Sequence, residues 1–184
     1  MCEHQSLTVV IVALLALAGA LGTGIVVWVL DRRQQKLNLM SAFAGELRAI
    51  LTVVEERQVL QALQNVIAQI QTQQAPLFFP FWVGDMHDVV FRHNADKLGS
   101  LRAPLPEQIV AAYYRINSVV LELRMLFEAS QGRGAWLGEQ WRTHWQACLQ
   151  QHQHTLTLAN QAREYAADVI NTLEQRNRTA TMDE

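Results

Sequence analysis

Three side chains that bind transition metals recur at helical spacing near the C-terminus. They are His144, Cys148 and His152, at positions i, i+4 and i+8. This spacing places all three on one face of a helix. Imidazole and thiolate groups arranged in this way are able to ligate zinc, and a fourth ligand, Asp85 or His87, would have to come from elsewhere in the chain.

The competing interpretation of the same three residues is the interior of a helical bundle. Trp141, Trp145 and Ala159 continue the stripe at the same spacing, and a free cysteine is commonly a small buried hydrophobe. A histidine on such a face finds its hydrogen-bond partner on a neighbouring helix. We therefore favour the core interpretation and predict neither a metal site nor a cofactor.

A second group of titratable residues lies in the middle of the chain. It consists of Asp85, His87, Asp88, His93 and Asp96. Asp85 and Asp88 suit the opening of a short helix, where carboxylates cap the first amides and interact favourably with the helix dipole. The sequence contains no nucleophile elbow, phosphate loop, CxxC pair or HExxH motif, so we predict no catalytic residues and no enzymatic activity.

All charged side chains except Glu3 lie in the part of the chain that follows the first 30 residues. All 15 Lys and Arg and 16 of the 17 Asp and Glu lie there, interleaved and without a basic face. Nucleic-acid binders cluster their basic residues, so nucleic acid is not an expected partner. The two cysteines, Cys2 and Cys148, imply no disulfide framework, which fits a reducing compartment.

Residues 7–30 are uncharged and almost wholly apolar. About 24 residues in a helix span about 36 Å, enough to cross a hydrocarbon core of about 30 Å. A cleaved signal peptide would have a basic start, a shorter apolar core and small residues at its end. We therefore predict a single-pass membrane anchor, with residues 1–6 as a short tail and the lipid bilayer as a partner.

Orientation and packing of the anchor follow from its flanks and its small residues. Arg32, Arg33 and Lys36 follow the apolar run and no basic residue precedes it, so the positive-inside bias predicts the N-terminus outside and the soluble domain in the cytoplasm. Small residues four apart allow close helix approach. The pairs Ala18/Gly22 and Ala20/Gly24 predict a homo-oligomer or association with another membrane protein.

The remainder of the chain has the periodicity of helices, without any alternating strand pattern. Apolar steps of three and four run through residues 31–72, with a phase slip at Gln58 and Gln61 that we interpret as a change of supercoil within one unbroken helix. Residues 106–176 predict an antiparallel helical hairpin around the turn at Gly132 and Gly134, with Pro106 in its first turn. We expect residues 177–184 to be a disordered tail. The predicted fold is all-α: a transmembrane helix continuing into a long antiparallel helical bundle or coiled coil.

An irregular connection, residues 73–105, joins the two long helical segments. Its aromatic cluster contains Phe78, Phe79, Phe81 and Trp82. The cluster is interpreted either as a partner surface or as a cap of large rings that closes the end of the bundle, and we favour the cap. Further along, we predict one short helix, from Met86 to Asp96, ended by Gly99 in a left-handed conformation.

Part of this connection and the helix after it resemble a known group of proteins. The segments are Val89-Val90-Phe91, Asn94-Ala95-Asp96-Lys97-Leu98-Gly99, Ile109-Val110 and Tyr113-Tyr114. Together they resemble small bacterial single-pass membrane proteins of uncharacterised function with a helical soluble domain. The resemblance covers about residues 80–125 and implies a bacterial inner (plasma) membrane location, without adding any chemistry.

Three functional hypotheses follow. The first is a non-enzymatic scaffold or accessory subunit that works by protein–protein interaction in a membrane-associated assembly. The alternative is a membrane-anchored sensor or signalling module, with a ligand cavity among Tyr113, Tyr114, Trp141 and Trp145 and with sensitivity to the phase at Gln58. The third, a metal-dependent enzyme using the His144, Cys148 and His152 face, is the one we favour least.

Overall fold

All regular secondary structure in the described part of the chain is helical, as predicted. The computed structural model describes residues 2–79, 84, 88–131 and 144–182, and the side chains of residues 2–24 and of Thr181 lie outside this description. The elements are α1 (Cys2–Glu56), α2 (Val59–Gln73), α3 (Val89–Asn94), a 3-10 helix (Ala95–Ser100), α4 (Leu105–Ser130) and α5 (Trp145–Met182).

The chain divides into two compact units, residues 1–39 and residues 40–184. In the first unit the backbone of the predicted anchor is helical throughout. The predicted packing residues Ala18, Ala20, Gly22 and Gly24 lie where side chains are not described. Among the described side chains, one helical stretch, Ile25–Gln73, is long and apolar enough to cross a membrane.

The second unit contains a break that the sequence analysis did not anticipate. A single unbroken helix was expected as far as Thr72, whereas α1 ends at Glu56 and α2 begins at Val59. Between them Gln58 has a φ of 50°, and its amide donates to the carbonyl of Glu55 at 2.9 Å. Left-handed backbone at a non-glycine residue is uncommon and costs free energy.

The periodicity of buried residues explains why the helix breaks at this position. A continuous helix turns by about 100° per residue, so Leu63 would lie about 160° around the axis from Leu47. Both side chains are nevertheless fully buried. The break turns Leu63, Val66 and Ile70 of α2 toward the interior. Of the two residues at which the sequence analysis placed the phase slip, Gln58 and Gln61, the break lies at Gln58, and the interpretation as a supercoil change within one unbroken helix was wrong.

α4 and α5 pack along each other in opposite directions. Glu122 accepts a hydrogen bond from Gln151 at 2.5 Å, and the Arg115 guanidinium lies 4.5 Å from the centre of the Tyr165 ring. α2 packs along α5 as well, where Val66 and Ile70 contact Cys148. Pro106 lies in the first turn of α4, as its missing amide and fixed φ favour.

α5 is longer than the sequence suggested. Residues 177–184 were predicted to be disordered, but the helix continues to Met182. The Asn177 amide donates to Ser41 Oγ at 2.8 Å, and Glu174 forms an ion pair with Arg48. The end of α5 has no apolar stripe of its own. These polar contacts with α1 therefore stabilise its last turns.

The helical segment of the connection before α4 also differs from the prediction. The helix predicted for Met86 to Asp96 is α3, which begins at Val89 and passes at Asn94 into the 3-10 helix. Gly99 lies within that 3-10 helix and does not have the predicted left-handed conformation. The 3-10 segment closes through the Leu101 amide, which donates to the Leu98 carbonyl at 3.0 Å.

Candidate interaction sites

Two of the three residues considered as metal-ligand candidates, Cys148 and His152, meet in the interior. His152 Nδ1 lies 2.9 Å from the Cys148 carbonyl oxygen, one turn earlier on α5, and 3.8 Å from Cys148 Sγ. The Cys148 thiol donates to the Leu77 carbonyl at 3.0 Å. His144 is exposed and precedes the first residue of α5. The described residues contain no group of three ligand side chains, and Asp85 and His87 lie outside them.

Burial keeps both groups of this pair neutral. It lowers the pKa of His152, against a smaller opposing effect of the hydrogen bond to the Cys148 carbonyl, and it raises the pKa of the Cys148 thiol. Because a neutral thiol is a poor nucleophile and metal ligand, the pair suits a structural role. His152 Nε2 is buried without a hydrogen-bond partner among the described residues, which costs about 1–3 kcal/mol.

We expect His152 to make the protein acid-sensitive. In the unfolded chain a histidine takes up a proton below about pH 6.5, whereas the folded protein, with its lowered pKa, does not. The free energy of unfolding should therefore fall as the pH drops from about 7 to 5. Urea unfolding at several pH values measures this slope. His152→Leu should flatten it, while the exposed His154→Gln should not, and an unchanged slope in His152→Leu would refute the assignment.

The aromatic residues of the connection are part of the packed interior where the structure describes them. Phe79 is 1% exposed and packs with Leu63, Leu123 and Leu126. Phe78 is half-buried, and its ring centre lies 6.5 Å from that of His152. Phe81 and Trp82 lie outside the described residues. Phe79 is therefore an interior residue and Phe78 is partly covered, and the choice between a cap and a partner surface for the whole cluster stays a prediction.

A polar contact that sequence reasoning missed connects α1, α3 and α4. The Glu46 carboxylate accepts hydrogen bonds from the Val90 amide at 2.7 Å, from the Phe91 amide at 3.0 Å and from the Tyr113 hydroxyl at 2.5 Å. The rings of Phe91 and Tyr113 stack 4.3 Å apart, and Phe43 lies edge-on to both. Burial and the Glu46 carboxylate raise the pKa of Tyr113, so its phenol stays protonated.

A cavity of about 420 Å³ lies between α2 and the connection that follows it, and its lining includes Arg57 and Gln58 at the helix break. Its polar rim includes Arg57, Gln58, Gln61 and Asn65, and its apolar floor includes Val66 and Phe78. The ligand cavity predicted from the sequence is not formed by its described members. Tyr113 is buried, Tyr114 is exposed, and Trp145 packs on the cluster around Cys148, while Trp141 lies outside the described residues.

The outer face of α4 carries a second surface that was not predicted. Val110 and Leu121 are about half exposed, and Tyr114 is 73% exposed. Their spacing places them within about 40° of one another around the helix, and the exposed Asn117 lies beside them. The pattern was not recognised because Tyr113 and Tyr114 were treated together, whereas the helix places them about 100° apart around its axis, with Tyr113 buried and Tyr114 exposed.

No protein-family model, curated protein or solved structure that was compared with this chain matches it.

Proposed function

We propose that this chain is a membrane-anchored helical interaction protein that tethers a helical bundle to a bilayer and associates with itself. The observation that carries the proposal is the exposure of residues 25–30, each of which is apolar and 50% to 64% exposed. Six consecutive residues cover every face of a helix. Water would meet an apolar surface on all sides, whereas a bilayer core provides the matching environment.

The residues that follow the apolar run support a membrane boundary. The Arg32 guanidinium lies 5.0 Å from the centre of the Trp28 ring, and Arg33 and Lys36 follow within one turn. Tryptophan is enriched at the level of the lipid headgroups, and arginine and lysine are enriched on the cytoplasmic side. This order supports an anchor that ends near Leu30, with the N-terminus outside and the bundle in the cytoplasm of a bacterial cell.

Orientation is tested by labelling a single cysteine in intact cells. Gln175 is exposed on α5, so Gln175→Cys in a Cys2→Ser background provides an accessible thiol, while Cys148 stays buried. We expect a membrane-impermeant maleimide to label this position only after the cells are broken. Rapid labelling in intact cells would place the bundle outside.

The outer face of α4 is the surface we propose for self-association. Val110, Tyr114 and Leu121 provide an uncharged apolar stripe, and the Asn117 carboxamide both donates and accepts, so that it is able to pair with its own copy across a two-fold axis. Two copies held in one bilayer also have a high effective concentration. A second copy is therefore the occupant that this surface fits best.

We expect a double substitution, Tyr114→Glu with Leu121→Glu, to weaken self-association by about tenfold or more, because four like charges would face one another across the interface. Both side chains are exposed, so the fold should tolerate the change. Sedimentation equilibrium in detergent and crosslinking in native membranes measure the dimer. The matched control is Gln153→Glu, exposed on α5. Equal dimer fractions in the double variant and the control would rule out this surface.

The cavity at the helix break favours a second role, as a sensor. A ligand that binds against α2, beside the left-handed Gln58, would bias the orientation of α2 relative to α1. Spin labels at the exposed Thr52 and Gln71 report this orientation. A sensor requires the distance between the labels to change on ligand binding, and an unchanged distance in the bound state would exclude the role.

A further inference from the structure

We propose that the cavity between α2 and the connection that follows it, beside Arg57 and Gln58, binds a small amphipathic carboxylate, of the class of N-acylated apolar amino acids. The same chemistry is present in a free N-acyl amino acid and in the last residue of a peptide. The volume of about 420 Å³ lies in the range of small-molecule sites. The inference deepens the sensor role and is independent of the membrane anchor and of self-association.

The floor of the cavity suits the apolar part of such a ligand. Leu77 and Phe78 belong to the connection, and Val66 belongs to α2. Two contacts with α5 hold the connection in place. Cys148 Sγ donates a hydrogen bond to the Leu77 carbonyl, and the centre of the Phe78 ring lies 6.5 Å from that of His152. A floor fixed in this way is formed before the ligand arrives, which lowers the entropic cost of binding.

The carboxamides on the rim suit the acylated amide of the ligand. Gln61 Nε2 donates to Asn65 Oδ1 at 3.1 Å. This bond leaves Gln61 Oε1 as an acceptor and Asn65 Nδ2 as a donor, and these are the two groups that the N–H and C=O of an amide require. Gln69 lies one turn further along the same face and also lines the cavity.

Arg57 determines the charge of the ligand. Among the described residues that line the cavity it is the only charged one, and it makes no ion pair with any residue in the described part of the chain. A guanidinium binds a carboxylate through two parallel hydrogen bonds. The nearest acidic residues in the sequence, Glu55 and Glu56, do not line the cavity.

The test uses the full chain in lipid nanodiscs, because a detergent would compete for an amphipathic site. N-acetyl-L-phenylalanine and its neutral amide, N-acetyl-L-phenylalaninamide, are the matched probes, titrated while the side-chain amide NMR signals of Gln61 and Asn65 are followed. We expect saturable shifts with a Kd of about 1 mM for the carboxylate, and binding of the amide about fivefold weaker or more.

Two exposed variants and a control separate the site from general effects. Arg57→Gln should remove the preference for the carboxylate without changing the affinity for the amide, and Gln61→Glu should weaken the carboxylate selectively by repulsion. Arg163→Gln, exposed on α5, should leave both affinities unchanged. Absence of saturable shifts at a probe concentration tenfold above the expected Kd would overturn the proposal. Equal affinities of the unsubstituted protein for the two probes would overturn it as well.

A hexapeptide ending in a phenylalanine carboxylate distinguishes the two sources of this chemistry. Tighter binding of the hexapeptide than of N-acetyl-L-phenylalanine would identify a peptide C-terminus as the natural ligand, and equal binding would identify a small molecule. Binding without a change in the Thr52–Gln71 label distance would refute the sensor role and leave the site intact. If none of these probes bound to the unsubstituted protein, the site would be refuted, and the proposed self-association would not be affected.

Discussion

Glu46→Ala should lower the free energy of unfolding by about 3 kcal/mol, one of the two largest losses we expect from a single substitution. The substitution removes the acceptor of three hydrogen bonds, two from the backbone of α3 and one from Tyr113. The buried Tyr113 hydroxyl then has no partner, and α3 loses its two hydrogen bonds to α1 and keeps the ring contact between Phe91 and Phe43. Urea unfolding monitored by circular dichroism gives the change in free energy.

The contribution of each partner to this contact is separable. Tyr113→Phe removes only the hydroxyl and should lower the free energy of unfolding by about 1–1.5 kcal/mol. The double variant with Glu46→Ala should lose less than the sum of the two single losses, because the two residues interact. Arg48→Ala breaks an exposed ion pair with Glu174 and should cost no more than about 1 kcal/mol. If Glu46→Ala were as mild as Arg48→Ala, the contact would not support the fold.

Phe79→Ala should cost about 3–5 kcal/mol, because it empties the space between α2 and α4 that the ring fills. The ring packs on Leu63, Leu123 and Leu126, all of which are buried. The same unfolding experiment measures this loss, with the half-exposed Val53→Ala as a control that should change stability by less than about 1 kcal/mol. Unchanged stability of Phe79→Ala would argue for the other interpretation, an aromatic surface kept free for a partner.

Local periodicity was sufficient to predict the helical segments and much of their buried faces. Cys148, His152 and Ala159 were assigned to an interior stripe from their spacing alone, and all three are buried. Pro106 was assigned to the first turn of its helix because proline suits that position. These predictions succeeded because each depends on residues a few positions apart.

Features that depend on distant residues were not predictable in this way. The Glu46 contact joins residues that are 44, 45 and 67 positions apart, so no local pattern reveals it. The break at Gln58 was visible only as a slip in the apolar stripe, and the decision between a supercoil change and a left-handed residue depends on the helices that α2 meets. The polar end of α5 is helical through its contacts with Ser41 and Arg48.

Attachment to a bilayer through the N-terminal helix is the central claim, and alkaline carbonate extraction of membranes containing the full chain tests it most directly. Carbonate strips proteins held by charge or by other proteins, whereas an apolar helix that spans the bilayer stays in place. We predict that the chain remains in the membrane pellet after carbonate treatment and is released only by detergent. Recovery of the chain in the carbonate supernatant would contradict the account.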